Sequence, residues 1–145
     1  PYGGNDIETL GGAGGWLATS PDLMRLLLAL DGFNYNEDIL SYESIHFMTD
    51  QNNHFAPVGW KTTLIDGNWI RTGSFSGTAG IIKRQPDGIS WVVLFNSSAW
   101  NGPEITSYVN RMMSNALAHV DLWPDYDLFN NSLPLPIKLD IAGIN

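Results

Sequence analysis

Two glycine turns between apolar runs constrain the fold of this chain most. Asp66-Gly67 separates the runs 58–65 and 68–72, and Pro86-Asp87-Gly88 separates the runs 78–85 and 89–96. Asp-Gly is a strong two-residue hairpin signal, because glycine supplies the positive φ that such a turn requires. In Pro-Asp-Gly the proline fixes φ and the aspartate caps the turn. The four runs are therefore predicted to be consecutive strands of an antiparallel meander.

Helix signals lie on both sides of these strands. Ser20-Pro21-Asp22 combines an N-cap, a proline at the first helical position and an acidic first turn. Leucines at helical spacing follow and predict a largely buried helix that ends at Asp31-Gly32. Ser41 is predicted to cap a second, short helix that carries Ile45 and Met48.

A long helix is predicted to open at 101–104 and to lie across a face of the sheet. Its apolar stripe consists of Ile105, Tyr108, Val109, Met112, Ala116, Leu117 and Val120. The order helix, short helix, meander and long helix predicts an α+β fold. Residues 1–120 would form this domain, and residues 121–145 would be an irregular extension that packs on it.

Composition excludes several classes of partner. The seven Lys and Arg residues do not cluster and the net charge is −8, so nucleic acid is not expected as a partner. No apolar run approaches the about 18 residues of a membrane span. The absence of Cys excludes disulfides and thiolate metal sites. Of the 145 residues, 43% are hydrophobic and six are Trp, which favours one domain with a sizeable core.

The most distinctive local pattern is Arg71-Thr72-Gly73-Ser74, placed between two predicted strands. It resembles the Lys-Thr-Gly motif of the penicillin-recognising serine hydrolases, which comprise serine β-lactamases, penicillin-binding proteins and their esterase-like relatives. Four further segments, 14–23, 39–49, 59–60 and 91–96, are similar in type and order to segments of the C-terminal half of that fold. The resemblance covers roughly residues 11–120 and implies an antiparallel sheet with the motif on its edge strand.

The resemblance implies a role for each residue of the motif. Arg71 would hold a substrate carboxylate, and Thr72 would hydrogen-bond the ligand. Gly73 would let the substrate backbone come close. The backbone N–H of Ser74 would be one donor of an oxyanion hole. Without a ligand, Arg71 would simply be a solvated strand-end charge, and Thr72 would simply suit a strand.

The chain departs from the family pattern at three points. No Lys follows a Ser by three residues, so the Ser-x-x-Lys nucleophile motif is absent. Tyr108-Val109-Asn110 matches the second motif, Tyr-x-Asn, but it follows the third motif instead of preceding it, so we interpret it as chance. Arg71 replaces Lys and cannot act as a base, because guanidinium does not deprotonate in proteins.

The remaining residue patterns predict neither a metal site nor a phosphate-binding loop. His46, His54 and His119 lack metal-ligand spacing, so neither a metal site nor a cofactor is expected. The glycine-rich segment 11–15 is predicted to be a close-packed turn, because no Lys follows it as in a phosphate-binding loop. Most Trp residues should be core, and Trp69 and Trp100 are predicted to have the best claim to a cleft.

Two functions follow as expectations. In the first, the chain is the C-terminal portion of a β-lactamase-related serine hydrolase that cleaves an ester, amide or peptide and lacks its nucleophile. In the second, it is a non-catalytic binding or structural module of that fold. The start at Pro1, without Met or a signal-like segment, indicates a piece of a longer or processed protein. Its partners would be the substrate and either the missing N-terminal half or a second copy, and the resemblance favours an extracytoplasmic location.

Overall fold

The computed structural model describes residues 6, 8–50, 57–64, 66–75, 77–97 and 104–125. Within these residues the chain forms three helices and four strands. The helices are α1 (Ser20–Leu28), α2 (Tyr42–Thr49) and α3 (Glu104–Leu117). The strands are β1 (Thr62–Thr63), β2 (Trp69–Phe75), β3 (Thr78–Arg84) and β4 (Ser90–Phe95).

The predicted α+β fold with an antiparallel meander is confirmed. The described strands form one sheet in the order β1-β2-β3-β4, and every neighbouring pair is antiparallel. Gly67 and Gly88 have the expected positive φ, 84° and 89°. The first connection is three residues long instead of two, because the Leu64 N–H donates to the Asn68 carbonyl at 2.8 Å. The Asp66 carboxylate accepts from the Asn68 N–H at 3.0 Å, which closes the first of these turns.

The boundaries of the first two strands were predicted wrongly. β1 spans two residues instead of 58–65, because the backbone before it bonds to α2: the Val58 N–H donates to the Met48 carbonyl at 3.0 Å. Gly59, with φ of 78°, also interrupts an extended conformation. β2 continues to Phe75 instead of ending at Thr72, so Gly73 and Ser74 belong to the strand and not to the following turn.

The side of the sheet that α3 covers holds the main core. Ile81, Trp91 and Val109 are its buried members. The helix contributes a narrower stripe than predicted, made of Ile105, Val109, Met113 and Leu117. Tyr108 and Met112 were wrongly placed in this stripe, since they are 57% and 54% exposed. Ala116 and Val120 are exposed as well, and Met113 was missed. The other side of the sheet carries α1, which contacts β3 and β4.

The short helices differ from expectation in detail. Thr19 caps α1, one residue before the predicted Ser20, through a capping box with Asp22. The helix ends at Leu28, before Asp31-Gly32, and among its residues only Leu27 is buried, so it is less buried than predicted. Ser41 caps α2 as predicted, and Ile45 is buried. The glycine-rich turn is also confirmed, with the Ala13 and Gly14 N–H groups donating to the Leu10 carbonyl.

Beyond α3, the described residues 121–125 are exposed. Leu122 is 86% exposed and Trp123 is 53% exposed. Residues 126–145 lie outside the described part of the chain, so the packing of the C-terminal extension and the domain boundary at 120 stay predictions.

Candidate functional site

Within the described residues, the outer edge of β2 is open over the predicted motif. β1 pairs only with Trp69 and Ile70, and from Arg71 to Phe75 no described strand lies on that edge. The carbonyls of Asn68 and Ile70 point outward, where they accept from the Leu64 and Lys61 N–H groups at 2.8 and 2.9 Å. Backbone groups alternate along an antiparallel strand, so those of Thr72 and Ser74 also point outward.

Side chains alternate across the sheet, which divides the four motif residues between its two faces. Arg71 and Gly73 pair with Ile82 and Gly80 of β3 and lie on the α1 side. Thr72 pairs with Ile81, a core residue, and lies with Ser74 on the α3 side. The structure therefore places all four residues at one strand edge, with the cation and the two hydroxyls on opposite sides of it. We call Arg71–Ser74 the edge site.

A concavity of about 450 Å³ opens on the α1 side of the edge site. Arg71, Gly73 and Phe75 of β2, Leu23 of α1 and the glycine-rich turn contribute to its lining. Among the described lining residues Arg71 is the only charged one, and none is His, Asp, Glu, Lys or Cys. These residues can bind and orient an anion, but they do not include a nucleophile beside a base.

The Arg71 side chain is exposed, and no described residue gives it a hydrogen bond or an ion pair. A guanidinium carries five N–H donors in a fixed fork that matches a carboxylate. No described group occupies these donors, and Arg71 lines the concavity.

Nothing in the described part of the chain requires glycine at position 73. A Cβ built there meets no atom within 4 Å, and the backbone is not in the left-handed region. Its cross-strand partner Gly80 differs, because a Cβ there would lie 2.9 Å from Leu94 Cδ2. A glycine inside a strand weakens it and often marks a close approach by a ligand or another backbone. The open space at Gly73 fits this explanation.

Two aromatic residues of the concavity were missed from the sequence. Phe75 continues the alternation of Arg71 and Gly73, and its ring packs so closely on Gly14 that a Cβ there would lie 2.6 Å from Phe75 Cζ. Alternation along β2 was the signal that could have found it. Trp16 follows the glycine-rich turn, is 84% exposed and lines the concavity. No local pattern identifies it.

Trp69 and Trp100 were predicted to have the best claim to a cleft. Trp69 packs against Trp60, with ring centroids 5.6 Å apart, and against the Arg84 guanidinium at 4.3 Å. It does not line the Arg71 concavity. Trp100 lies outside the described residues.

A smaller depression of about 170 Å³ lies on the α3 side of the edge site. It is lined by Thr72 together with polar residues, among them Lys61, Ser107 and Asn110. Asn110 Oδ1 accepts from Lys83 Nζ at 3.0 Å, whereas the Tyr108 ring is exposed and lies against Arg111. The two residues of the Tyr-x-Asn match thus face different surroundings, which favours its interpretation as chance.

Metal ligands do not cluster in the described part of the chain: no group of three His, Cys, Asp or Glu side chains is placed to hold an ion. Of the described helices, none has the length and apolar character that crossing a membrane requires.

Comparisons of the chain with known protein families, with curated proteins and with solved structures give no match. The residues and geometry of the edge site therefore carry the functional conclusion.

Proposed function

We propose that the chain supplies one wall of the active site of a serine hydrolase related to β-lactamases and penicillin-binding proteins. The observation that carries the proposal is Gly73, an interior strand glycine that nothing in the described fold requires. Beside it lies Arg71, to which no described residue gives a hydrogen bond or an ion pair. Such a glycine is explained by a ligand that lies against the strand. The order of the Arg-Thr-Gly-Ser run and its neighbouring segments supports the family assignment.

Each residue of the edge site has a separate role in this proposal. Arg71 binds a substrate carboxylate through its fork of donors. The outward-pointing N–H of Ser74 stabilises the negative oxygen that develops when the substrate carbonyl is attacked. Thr72 presents its backbone groups at the same edge, and these pair with an extended substrate.

The nucleophile comes from sequence outside these 145 residues, because no Ser-x-x-Lys occurs within them. In the acyl transfer, the serine oxygen bonds to the substrate carbonyl carbon and the bond from that carbon to the leaving oxygen or nitrogen breaks. The proton of the serine hydroxyl passes to the leaving alcohol or amine. Water then cleaves the acyl-enzyme and releases the acid. The chain contributes binding and oxyanion stabilisation to both steps.

Covalent labelling tests the proposal. The coding sequence upstream of Pro1 should contain Ser-x-x-Lys and Tyr-x-Asn, and the protein expressed with that segment should react with a fluorescent penicillin or a fluorophosphonate. The 145-residue chain alone should not react. Labelling of this chain at one of its own serines would contradict the role assigned to it.

Two substitutions sharpen this test at Ser74. Ser74→Ala keeps the backbone N–H, so labelling of the longer protein should continue at a similar rate. Ser74→Pro removes that N–H, which pairs with no described strand, so the sheet should tolerate it as an edge proline. Labelling should then slow by about 100-fold, the scale of losing one oxyanion donor. Equal rates for the two variants would remove Ser74 from the oxyanion hole.

The alternative is a non-catalytic module that binds an acidic peptide or a second copy along the β2 edge. The observation that favours it is the lack of a nucleophile and base among the described lining residues of the concavity. An upstream stop codon or an unrelated domain would support this alternative. Sedimentation then distinguishes its two ligands, because pairing of β2 edges between copies produces a dimer whose population rises with concentration.

A further inference from the structure

We propose that the ligand of the Arg71 concavity is an amphipathic carboxylate, whose apolar end, an aromatic ring or a bulky alkyl group, packs against Trp16. This inference rests on the proposed function only for placing the ligand at Arg71. It adds the chemical class of the group next to the carboxylate.

The floor of the concavity is shaped for a flat apolar group. Gly73 and Gly80 are cross-strand partners, so neither strand places a Cβ on this part of the α1 side. Ile82 and Phe75 flank the glycine pair and leave a shallow slot between two apolar side chains. A ring can lie flat on the open strand backbone at Gly73, while Leu94 Cδ2 covers Gly80 and closes the slot toward β4.

The side chains that form the walls of the concavity are apolar but partly exposed to solvent. Leu94 of β4 is 39% exposed, and Trp16 is 84% exposed at the rim. Leu23 of α1 lines the same space. Ligand pockets combine such apolar walls with a few polar groups that fix orientation. Here the single charged group among the described lining residues is Arg71.

The spacing of residues along one face of β2 guides the choice of a probe ligand. Adjacent residues on one face of a strand are about 7 Å apart, so a ring over Gly73 lies about 7 Å from the position of Arg71. A carboxylate joined to a phenyl ring by three methylenes spans this distance. 4-Phenylbutyrate is therefore a suitable probe, and butyrate and 4-phenylbutyramide are its matched controls without the ring and without the charge.

Calorimetric titration of the full 145-residue chain gives the first test. 4-Phenylbutyrate should bind at least about tenfold more tightly than butyrate, since burying a ring of this size is worth at least that factor. It should exceed 4-phenylbutyramide by a similar factor, because the amide cannot pair with Arg71.

Trp16→Ala should weaken 4-phenylbutyrate by about tenfold and leave butyrate unchanged. Leu17→Ala is the matched control: Leu17 is the neighbouring residue, is 98% exposed and does not line the concavity, so its loss should change neither affinity. Both side chains are exposed, so circular dichroism should show an unchanged fold. Saturation transfer from the ligand phenyl protons to the Trp16 indole, observed by NMR, should locate the ring directly.

Equal affinities for 4-phenylbutyrate and butyrate would overturn the inference, as would a Trp16→Ala variant that binds like the parent chain. The proposed function fails separately. If the longer protein resists covalent labelling while the ring preference persists, the serine hydrolase assignment falls and the ligand class stands. If labelling succeeds without a ring preference, only the ligand class is wrong.

Discussion

Arg71 and Arg84 lie on the same face of the same sheet, yet their surroundings differ completely. Arg84 is 8% exposed, and its guanidinium lies 3.8 Å from the Phe33 ring centroid and 4.3 Å from that of Trp69. It donates to the carbonyls of Asp31 at 3.1 Å and Gly67 at 2.9 Å. We call these five residues the Arg84 cluster. Arg71 is exposed and has no such partner among the described residues.

The neighbours of each arginine explain the difference. Arg84 is the cross-strand partner of Trp69, so an aromatic ring already lies beside its guanidinium. On the same face of β2, Arg71 has Gly73 as its neighbour toward Phe75, and no side chain covers it from that position. On this sheet, an arginine is therefore structural where aromatic residues and carbonyls enclose it. It is accessible to a ligand where a neighbouring glycine leaves it uncovered.

The largest expected effect comes from breaking the Arg84 cluster. Arg84→Ala removes two hydrogen bonds and two ring contacts, and leaves buried carbonyls unpaired, so the free energy of unfolding should fall by about 3 kcal/mol. Arg84→Lys should recover part of this loss, because ammonium keeps the charge but not the planar stacking. Urea denaturation measures both. A loss below that of Arg71→Ala would refute the structural role of Arg84.

Substitution of Arg71 should change ligand binding strongly and stability little, in contrast to Arg84. Arg71→Ala should weaken binding of a carboxylate ligand by about 1.5–3 kcal/mol, the scale of a hydrogen bond to a charged group. The free energy of unfolding should change by less than about 0.5 kcal/mol, as for an ordinary surface substitution. Arg71→Lys should rescue binding partially. Calorimetry with a peptide acid gives the first value and urea denaturation the second; unchanged affinity in Arg71→Ala would make the residue a plain surface charge.

Gly67 and Gly73, which neighbour the two arginines, should respond in opposite ways to substitution by alanine. Gly67 belongs to the Arg84 cluster and has φ of 84°, so Gly67→Ala should destabilise the fold by about 1 kcal/mol. Gly73 has open space and no left-handed backbone, so Gly73→Ala should stabilise it by about 0.5–1 kcal/mol. Gly73→Ala should also weaken ligand binding, because the methyl group occupies the approach to the strand. If it destabilised the fold, Gly73 would have a structural cause that the described contacts lack.

The smallest expected effect is a dependence of the free energy of unfolding on pH. Burial raises the pKa of the Asp31 carboxyl, aided by nearby Asp38, while the Phe33 N–H bond and the Arg84 guanidinium oppose the shift. The folded state therefore binds the proton more tightly than the unfolded state. This contribution to stability is fully present below the unfolded pKa of about 3.9 and is lost as pH rises through the raised folded value.

Asp31→Asn should abolish this part of the pH dependence. Urea denaturation at a series of pH values above about 4 should show stability of the parent chain falling relative to that of the variant. A parent chain that instead gained stability over this range relative to Asp31→Asn would reverse the sign assigned to Asp31.

The sequence predicted those parts of the fold that depend on local chemistry. The Gly67 and Gly88 turns and the Ser41 cap follow from residues within a few positions of one another, and all three were predicted. The length of β1 depends on a bond between Val58 and Met48, which lie in different elements, and no local pattern reveals it. The exposure of Tyr108 was missed because a broad apolar stripe on a helix does not show how much of it the sheet covers.

The candidate site was predicted only in part for the same reason. Arg71–Ser74 stands out as a motif, and its place on an open strand edge follows from the short β1. Trp16 reaches the concavity only because the glycine-rich turn folds against Phe75, a contact between distant segments. Trp69 lies beside Arg84 and does not line the Arg71 concavity, because of a strand register that is not visible in the sequence.

One NMR titration tests the contrast between the two arginines most directly. A short peptide acid is added to the ¹⁵N-labelled chain, and the backbone amides and arginine Nε signals are followed. The account predicts shifts at the Ser74 amide and Arg71 Nε, with Arg84 Nε unchanged because it already donates to the Asp31 carbonyl. The corresponding peptide amide should produce much smaller shifts at Arg71. Equal responses to acid and amide, or shifts at Arg84 with none at Arg71, would contradict the assignment of the edge site.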